Sequence, residues 1–261
     1  MIYQFLRRYL KDEEYDKYKF DFEYVTKQYG DLLISLENSN LLNTSEIYWN
    51  NKHTRKDIYY MGRYLPVKND FINCDIKNFV TPNDALIREL VSNNNLKILN
   101  ANECDKQVMS IYKFCRKNSS YSYDATLFNK NEVWLFPFEF LYLNKKGDCE
   151  DNSHYIASML ICAGVPAFRV RVVVGMCKWG GHSTVYVLSD DLTTWHHINS
   201  TGGMEENVSL SDCPTRNSTT DDFGITDVWF SFNNFYSWSD FENTSTAATF
   251  NHFLKKKIKI I

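Results

Sequence analysis

The chain has 261 residues, 44% of them hydrophobic and 16% aromatic, which is ample for a packed core and too apolar for a disordered segment. Its formal net charge of −3 offers no bulk attraction for nucleic acid. No apolar run approaches the roughly 18 residues of a membrane span, and the start Met1-Ile2-Tyr3-Gln4-Phe5-Leu6-Arg7-Arg8 lacks the apolar stretch of a secretory signal.

Residues 1–80 read as an N-terminal extension without an assignable role, Tyr- and Lys/Asp-rich and weakly periodic as far as Asp70. Thr81-Pro82-Asn83-Asp84 reads as a helix start with Pro at its first position, followed by the stripe Leu86, Ile87, Leu90 and Val91. A second helix is expected from Asn102, with Val108, Ile111, Tyr112 and Cys115 on one face. Beyond Lys146-Gly147-Asp148, the residues Ile156, Met159, Leu160 and Ala163 repeat at helical spacing. Gly164 and Pro166 then end a helix running from about Cys149 to Cys162.

Three strands follow at short intervals. Phe168 to Gly175 places Phe168, Val170, Val172 and Val174 on one face, with Arg169 and Arg171 on an exposed face. His182 to Leu188 and Trp195 to Asn199 complete an expected antiparallel meander. Ser209 to Asp222 reads as a loop. Val228 to Phe232 with Phe235-Tyr236-Ser237-Trp238 reads as further strand, and the tail Lys255-Lys256-Lys257-Ile258-Lys259 as a solvated end. There are no internal repeats.

Chemistry concentrates at three positions. Cys149 falls in the first turn of its helix, where unpaired N–H groups favour a thiolate and can receive an oxyanion. His182 opens one strand and Asn199 closes its antiparallel neighbour, so the two ends meet. The set suits a thiol nucleophile, a general base and a group that orients the base. Asp148, Glu150 and Asp151 lie close to the sulfur unless they cap the helix. His196 and His197 are rival bases, His197 sharing a strand face with Asn199. Trp134 and Trp179 are candidate substrate-binding residues, and Asp191 is a second candidate orienter. Cys149, Cys177 and His182 lack a fourth ligand at zinc-site spacing, so no metal and no cofactor are expected.

The seven cysteines are odd in number, scattered and without a Cys-x-x-Cys pair, which favours reduced thiols and a cytoplasmic setting. The Asn-x-Ser/Thr sequons are those expected by chance in an Asn-rich chain.

Gly147-Asp148-Cys149, the helix exit Ala163-Gly164-Val165-Pro166-Ala167, His182 and Trp195…Asn199-Ser200-Thr201 together resemble the transglutaminase-like cysteine peptidase superfamily. Trp134-Leu135-Phe136-Pro137-Phe138-Glu139 is similar to the Trp–Pro segment that precedes the nucleophile there. The likeness spans about Ala85 to Thr201. It implies an α+β, papain-like domain over residues 81–261, with the nucleophile helix packed on an antiparallel sheet. The activity it implies is hydrolysis of amide bonds in a protein or peptide substrate, through a Cys149-His182-Asn199 triad and an acyl-enzyme. Acyl transfer to an amine, or a binding module that keeps the fold, are the alternatives. That family usually has Asp in an Asp-Pro-Thr-like triplet where this chain has Asn199-Ser200-Thr201. Asn can orient an imidazole through its oxygen, but adds no charge to stabilise the imidazolium. Hydrolysis is preferred because no Asp-x-Asp-x-Asp-Gly calcium loop occurs. Neither a nucleic acid nor a membrane is expected as partner, and nothing sets an oligomeric state.

Overall fold

The computed structural model describes residues 60–65, 70–98, 100, 103–204, 206–216, 218, 220–235 and 237–239. The basic tail and most of the N-terminal extension lie outside these residues. Two strands, β1 (Tyr60–Leu65) and β2 (Asp70–Asp75), pair antiparallel. A 3-10 turn at Ile76–Phe79 then plants Ile76 and Phe79 in the main core, so packing with the later residues begins before residue 81.

Helix α1 spans Ala85–Asn93 rather than starting at Pro82. The cause is Asp84, whose Oδ1 accepts from the backbone N–H of Leu86 (2.9 Å) and of Ile87 (3.4 Å), capping two orphan donors. Helix α2 (Asp105–Arg116) also starts later than expected, at a cap supplied from far along the chain. The Asp190 carboxylate accepts from Cys104 N at 3.0 Å and Asp105 N at 3.1 Å. No local pattern could announce such a start. The stripe Val108, Ile111, Tyr112 and Cys115 is buried as its spacing requires.

A two-residue strand β3 (Ser120–Tyr121), helix α3 (Asp124–Phe128) and helix α4 (Pro137–Tyr142) follow, with Pro at the first position of α4. Strand β4 (Lys146–Gly147) pairs parallel with β3 and delivers the chain to helix α5 (Cys149–Ala163). Gly164, at φ +119°, closes α5 with Val165 N donating to Leu160 O at 3.0 Å, the left-handed exit that glycine permits. Helix α5 is buried on nearly every side, because α1, α2 and α4 pack on it as well as the sheet. Ile156, Met159 and Leu160 are fully buried, each burial worth about 1.5–3 kcal/mol.

The sheet contains β5 (Val170–Cys177), β6 (Gly180–Leu188), β7 (Trp195–Ile198), β8 (Asp227–Phe232) and β9 (Ser237–Ser239). All neighbours are antiparallel in the order β7-β6-β5-β8-β9, which keeps the expected meander and adds two strands on the far edge. Val170, Val172, Val174, Val185, Val187 and Ile198 join the core that includes α5. Val173, Tyr186, Leu188, Trp195 and Val228 form a second cluster on the other face.

Two expectations for the first strand are corrected. Ala167–Arg169 is a 3-10 turn, so Phe168 leaves the valine face and joins the second cluster. Arg169 and Arg171 are not an exposed face: they are 1% and 2% exposed. Arg169 gives its Nε–H to Leu188 O, Nη1 to Asp190 at 2.8 Å and Nη2 to Asp105 at 3.0 Å. An arginine paired on both arms can be buried where a free one cannot.

Candidate active site

Gly147 precedes helix α5 because a side chain there has no room. A Cβ would lie 2.3 Å from Asp151 Oδ2. That same Oδ2 accepts from Asp148 N at 3.2 Å, and Asp151 Oδ1 accepts from Leu135 N at 2.8 Å. Asp151 thus fastens the first turn of α5 to the segment before α4. Cys149 occupies that turn, 7% exposed, with Ser153 Oγ donating to its carbonyl at 2.7 Å. Its thiol donates to Glu150 Oε2 at 3.1 Å. Of the three flanking acids, Asp151 caps the helix and Glu150 faces the sulfur.

These acids are crowded. Burial, then the charge of Glu150, pushes the carboxyls of Asp148 and Asp151 well above their ordinary range. Asp148, Cys149 and Glu150 offer ligand atoms within 4.8 Å of one another, as do Asp124, Asp148 and Asp151. The second set, all oxygen donors, has the chemistry to hold a hard cation. A third group, Cys104, Asp105 and Asp190, already spends its carboxylates on Arg169 and on backbone N–H groups.

His182 lies near the start of β6, opposite Gly175, and is 7% exposed. Helix α5 packs across β6, so nucleophile and base candidates sit on contacting elements. The His182 ring rests against Phe223, centroids 5.9 Å apart. Asn199 follows directly on β7. Its Oδ1 accepts from Thr201 N at 3.0 Å and from Thr201 Oγ1 at 2.9 Å, so its oxygen shapes the turn Asn199–Thr201. A cleft of about 670 Å³ opens beside it, lined in part by Gly202, Gly203, Met204, Asp221 and Phe223.

The rival histidines are occupied elsewhere. The Thr184 hydroxyl donates to Ile198 O at 2.9 Å and meets His197 Nε2 at 2.8 Å, while His197 Nδ1 pairs with Asp221. With both ring nitrogens committed and no exposure, His197 is a structural residue of the sheet's second face. His196 Nδ1 bonds Cys213 O at 3.0 Å. Asp191 caps its own turn, accepting from Thr193 N at 2.8 Å and from the Ser189 hydroxyl.

Trp134 is packed in the core against Phe79, His154 and Phe232, its indole N–H on Glu132 at 2.9 Å. Trp179 is 68% exposed at the β5–β6 turn, with the Lys178 ammonium 5.1 Å from its ring centroid. Neither tryptophan is among the residues that line the cleft.

Arg116, Asp221 and Phe223 went unseen at the sequence level. Arg116 ends an amphipathic helix as many basic residues do, and the other two sit in a Ser/Thr/Asp-rich loop without periodicity.

Residues 94–200 match the model of the transglutaminase-like superfamily. No curated protein matches the chain. Among solved structures, Legionella pneumophila LapG is similar at 18% identity and a TM-score of 0.41, covering 66% of this chain and 96% of that one. The calcium-bound form of LapG from the same organism is similar at 17% identity and a TM-score of 0.41, covering 66% and 97%. The segment 94–200, which contains Cys149, His182 and Asn199 and lays helix α5 on an antiparallel sheet, is thus similar to the transglutaminase-like superfamily.

Proposed function

We propose that the chain is a cysteine-dependent hydrolase of amide bonds in a protein or peptide substrate. The observation that carries this reading is Cys149 in the first turn of a buried helix packed on β6, the strand that carries His182 near its start. In this reading His182 takes the thiol proton and Cys149 Sγ attacks the substrate carbonyl. The developing oxyanion is received by the Cys149 N–H at the positive end of the helix. The imidazolium then gives its proton to the leaving amine, and a thioester remains. Water, activated by the same imidazole, releases the acid and restores the thiol. Asn199 is the third member, its Oδ1 exchanging the Thr201 hydroxyl for the distal His182 N–H. Asn199→Asp then keeps or raises turnover, while Asn199→Ala lowers it.

The test has two readouts. A peptide-library digest followed by mass spectrometry should yield cleaved products with the parent and none with Cys149→Ala or His182→Ala. Near pH 6.5, iodoacetamide should label Cys149 ahead of Cys115 and Cys162, whose thiols burial pushes up to about 12 and about 11. Products that persist in Cys149→Ala would sink the proposal. Products joined to an added amine rather than to water would move the reading to acyl transfer.

A further inference from the structure

Between the nucleophile helix and the turn that carries Asn199 stands one side chain that touches both. Arg116, the last residue of α2, gives Nη1–H to Asn152 Oδ1 and Nη2–H to Thr201 O at 3.0 Å. Each partner lies one step from the proposed chemistry. Asn152 is buried in the first turn of α5, and its Nδ2 donates to Asp148 O at 2.7 Å. That carbonyl belongs to the peptide whose nitrogen is Cys149 N, so a bond to it fixes the plane in which the Cys149 N–H points. Thr201, on the other arm, holds Asn199 through its backbone N–H and its hydroxyl.

We propose that Arg116 is a positioning residue that sets the proposed oxyanion donor of Cys149 and the Asn199 turn in one fixed relation. The inference rests on the hydrolase reading above. Its physical basis is the guanidinium's rigid, planar fork: two N–H groups on one frame hold two acceptors at a set spacing. A lysine keeps the charge but is a single flexible point donor. It cannot grip Asn152 and Thr201 in that geometry. The bond to Asn152 also commits the amide's orientation, since its oxygen must face Arg116 and its nitrogen Asp148 O.

Two reagents separate this role from general support of the fold. p-Nitrophenyl acetate acylates a thiol through a tetrahedral oxyanion: the thiolate attacks the ester carbonyl, a thioester forms and nitrophenolate leaves. Iodoacetamide alkylates the same sulfur by direct displacement of iodide, with no oxyanion to stabilise. Arg116→Ala and Arg116→Lys in the full chain should both slow Cys149 acylation by about 10- to 100-fold while alkylation changes by less than about threefold. Asn152→Ala should do the same, and the double variant should lose no more than either single one. Equal loss in both reactions, or full rescue by lysine, would make Arg116 a structural or merely electrostatic residue and overturn the inference. If Arg116→Ala does not fold, the Asn152→Ala pair of rates decides alone. A parent acylated no faster than Cys149→Ala would instead overturn the nucleophile reading itself. A parent that acylates and an Arg116→Ala variant that matches it would overturn only the clamp.

Discussion

At the residue scale the tension lies in the acids around Cys149. Asp148 is pushed well above its ordinary range first by burial and then by Glu150, so the folded state penalises its charged form. The sign follows from linkage. Where the folded pKa is raised, stability is fully present below the unfolded value of about 3.9 and is lost as pH rises through the folded one. Asp148→Asn removes the ionisation while keeping a helix-capping side chain. It should therefore raise the melting temperature near pH 7.5, with the gain shrinking toward zero as the pH falls below about 4. Thermal melts of parent and variant across that range check it; a gain that stays constant with pH would mean the effect is not ionic. Asp221 moves the other way. Burial pushes it up, but the bond to His197, that ring's charge and the N–H groups of Phe223 and Gly224 hold it below its ordinary range. Its contribution is present at neutral pH and is lost as pH falls through the folded value.

The element most in need of that contribution is the loop after β7. Asp221 pairs with buried His197, the next-but-one residue Phe223 rests on His182, and Ile225 N donates to the Tyr186 hydroxyl at 3.0 Å. Three contacts thus lay the loop along β6 and β7. Asp221→Ala leaves His197 buried without its carboxylate and should cost about 3 kcal/mol in a urea titration at pH 7. Phe223→Ala, which spares the pair, should cost less. Equal stability of Asp221→Ala and parent would show that the pair is not what anchors the loop. Here too lies the boundary of what the chain's local pattern could tell. The helix at Cys149 was legible because apolar spacing and the Gly164 exit are both written within fifteen or so residues. The meander was legible because β-branched runs alternate with short turns. The Asp221 loop was not, since its order comes from an acid meeting a histidine 24 positions away. Nor was the later start of α2, whose cap is Asp190.

Across the whole molecule, the same logic explains why Arg169 and Arg171 are buried although strand alternation predicts an exposed face for them. Alternation in a strand tells which side chains share a face, not whether that face meets water, and here both faces of the sheet are covered. Arg169 sits where the layers join. One arm holds Asp105 at the start of α2 and the other holds Asp190 beyond β6, which itself caps α2. The helical layer is therefore tied to the sheet through one guanidinium and two carboxylates. Removing the cation leaves the carboxylates of Asp105 and Asp190 facing each other near the cap of α2, where burial and then the charge of Asp190 already push the Asp105 carboxyl up. Arg169→Ala should destabilise the fold by about 2–4 kcal/mol in urea, discounted toward the lower figure because both acids are partly exposed. Arg169→Lys should recover little, having one ammonium for two separated carboxylates and none of the planar spacing. Asp105→Asn in the Arg169→Ala background should instead recover part of the loss, because it relieves the repulsion that the missing arginine exposed. A lysine variant as stable as the parent would show that charge alone, and not the forked bridge between layers, holds α2 to the sheet.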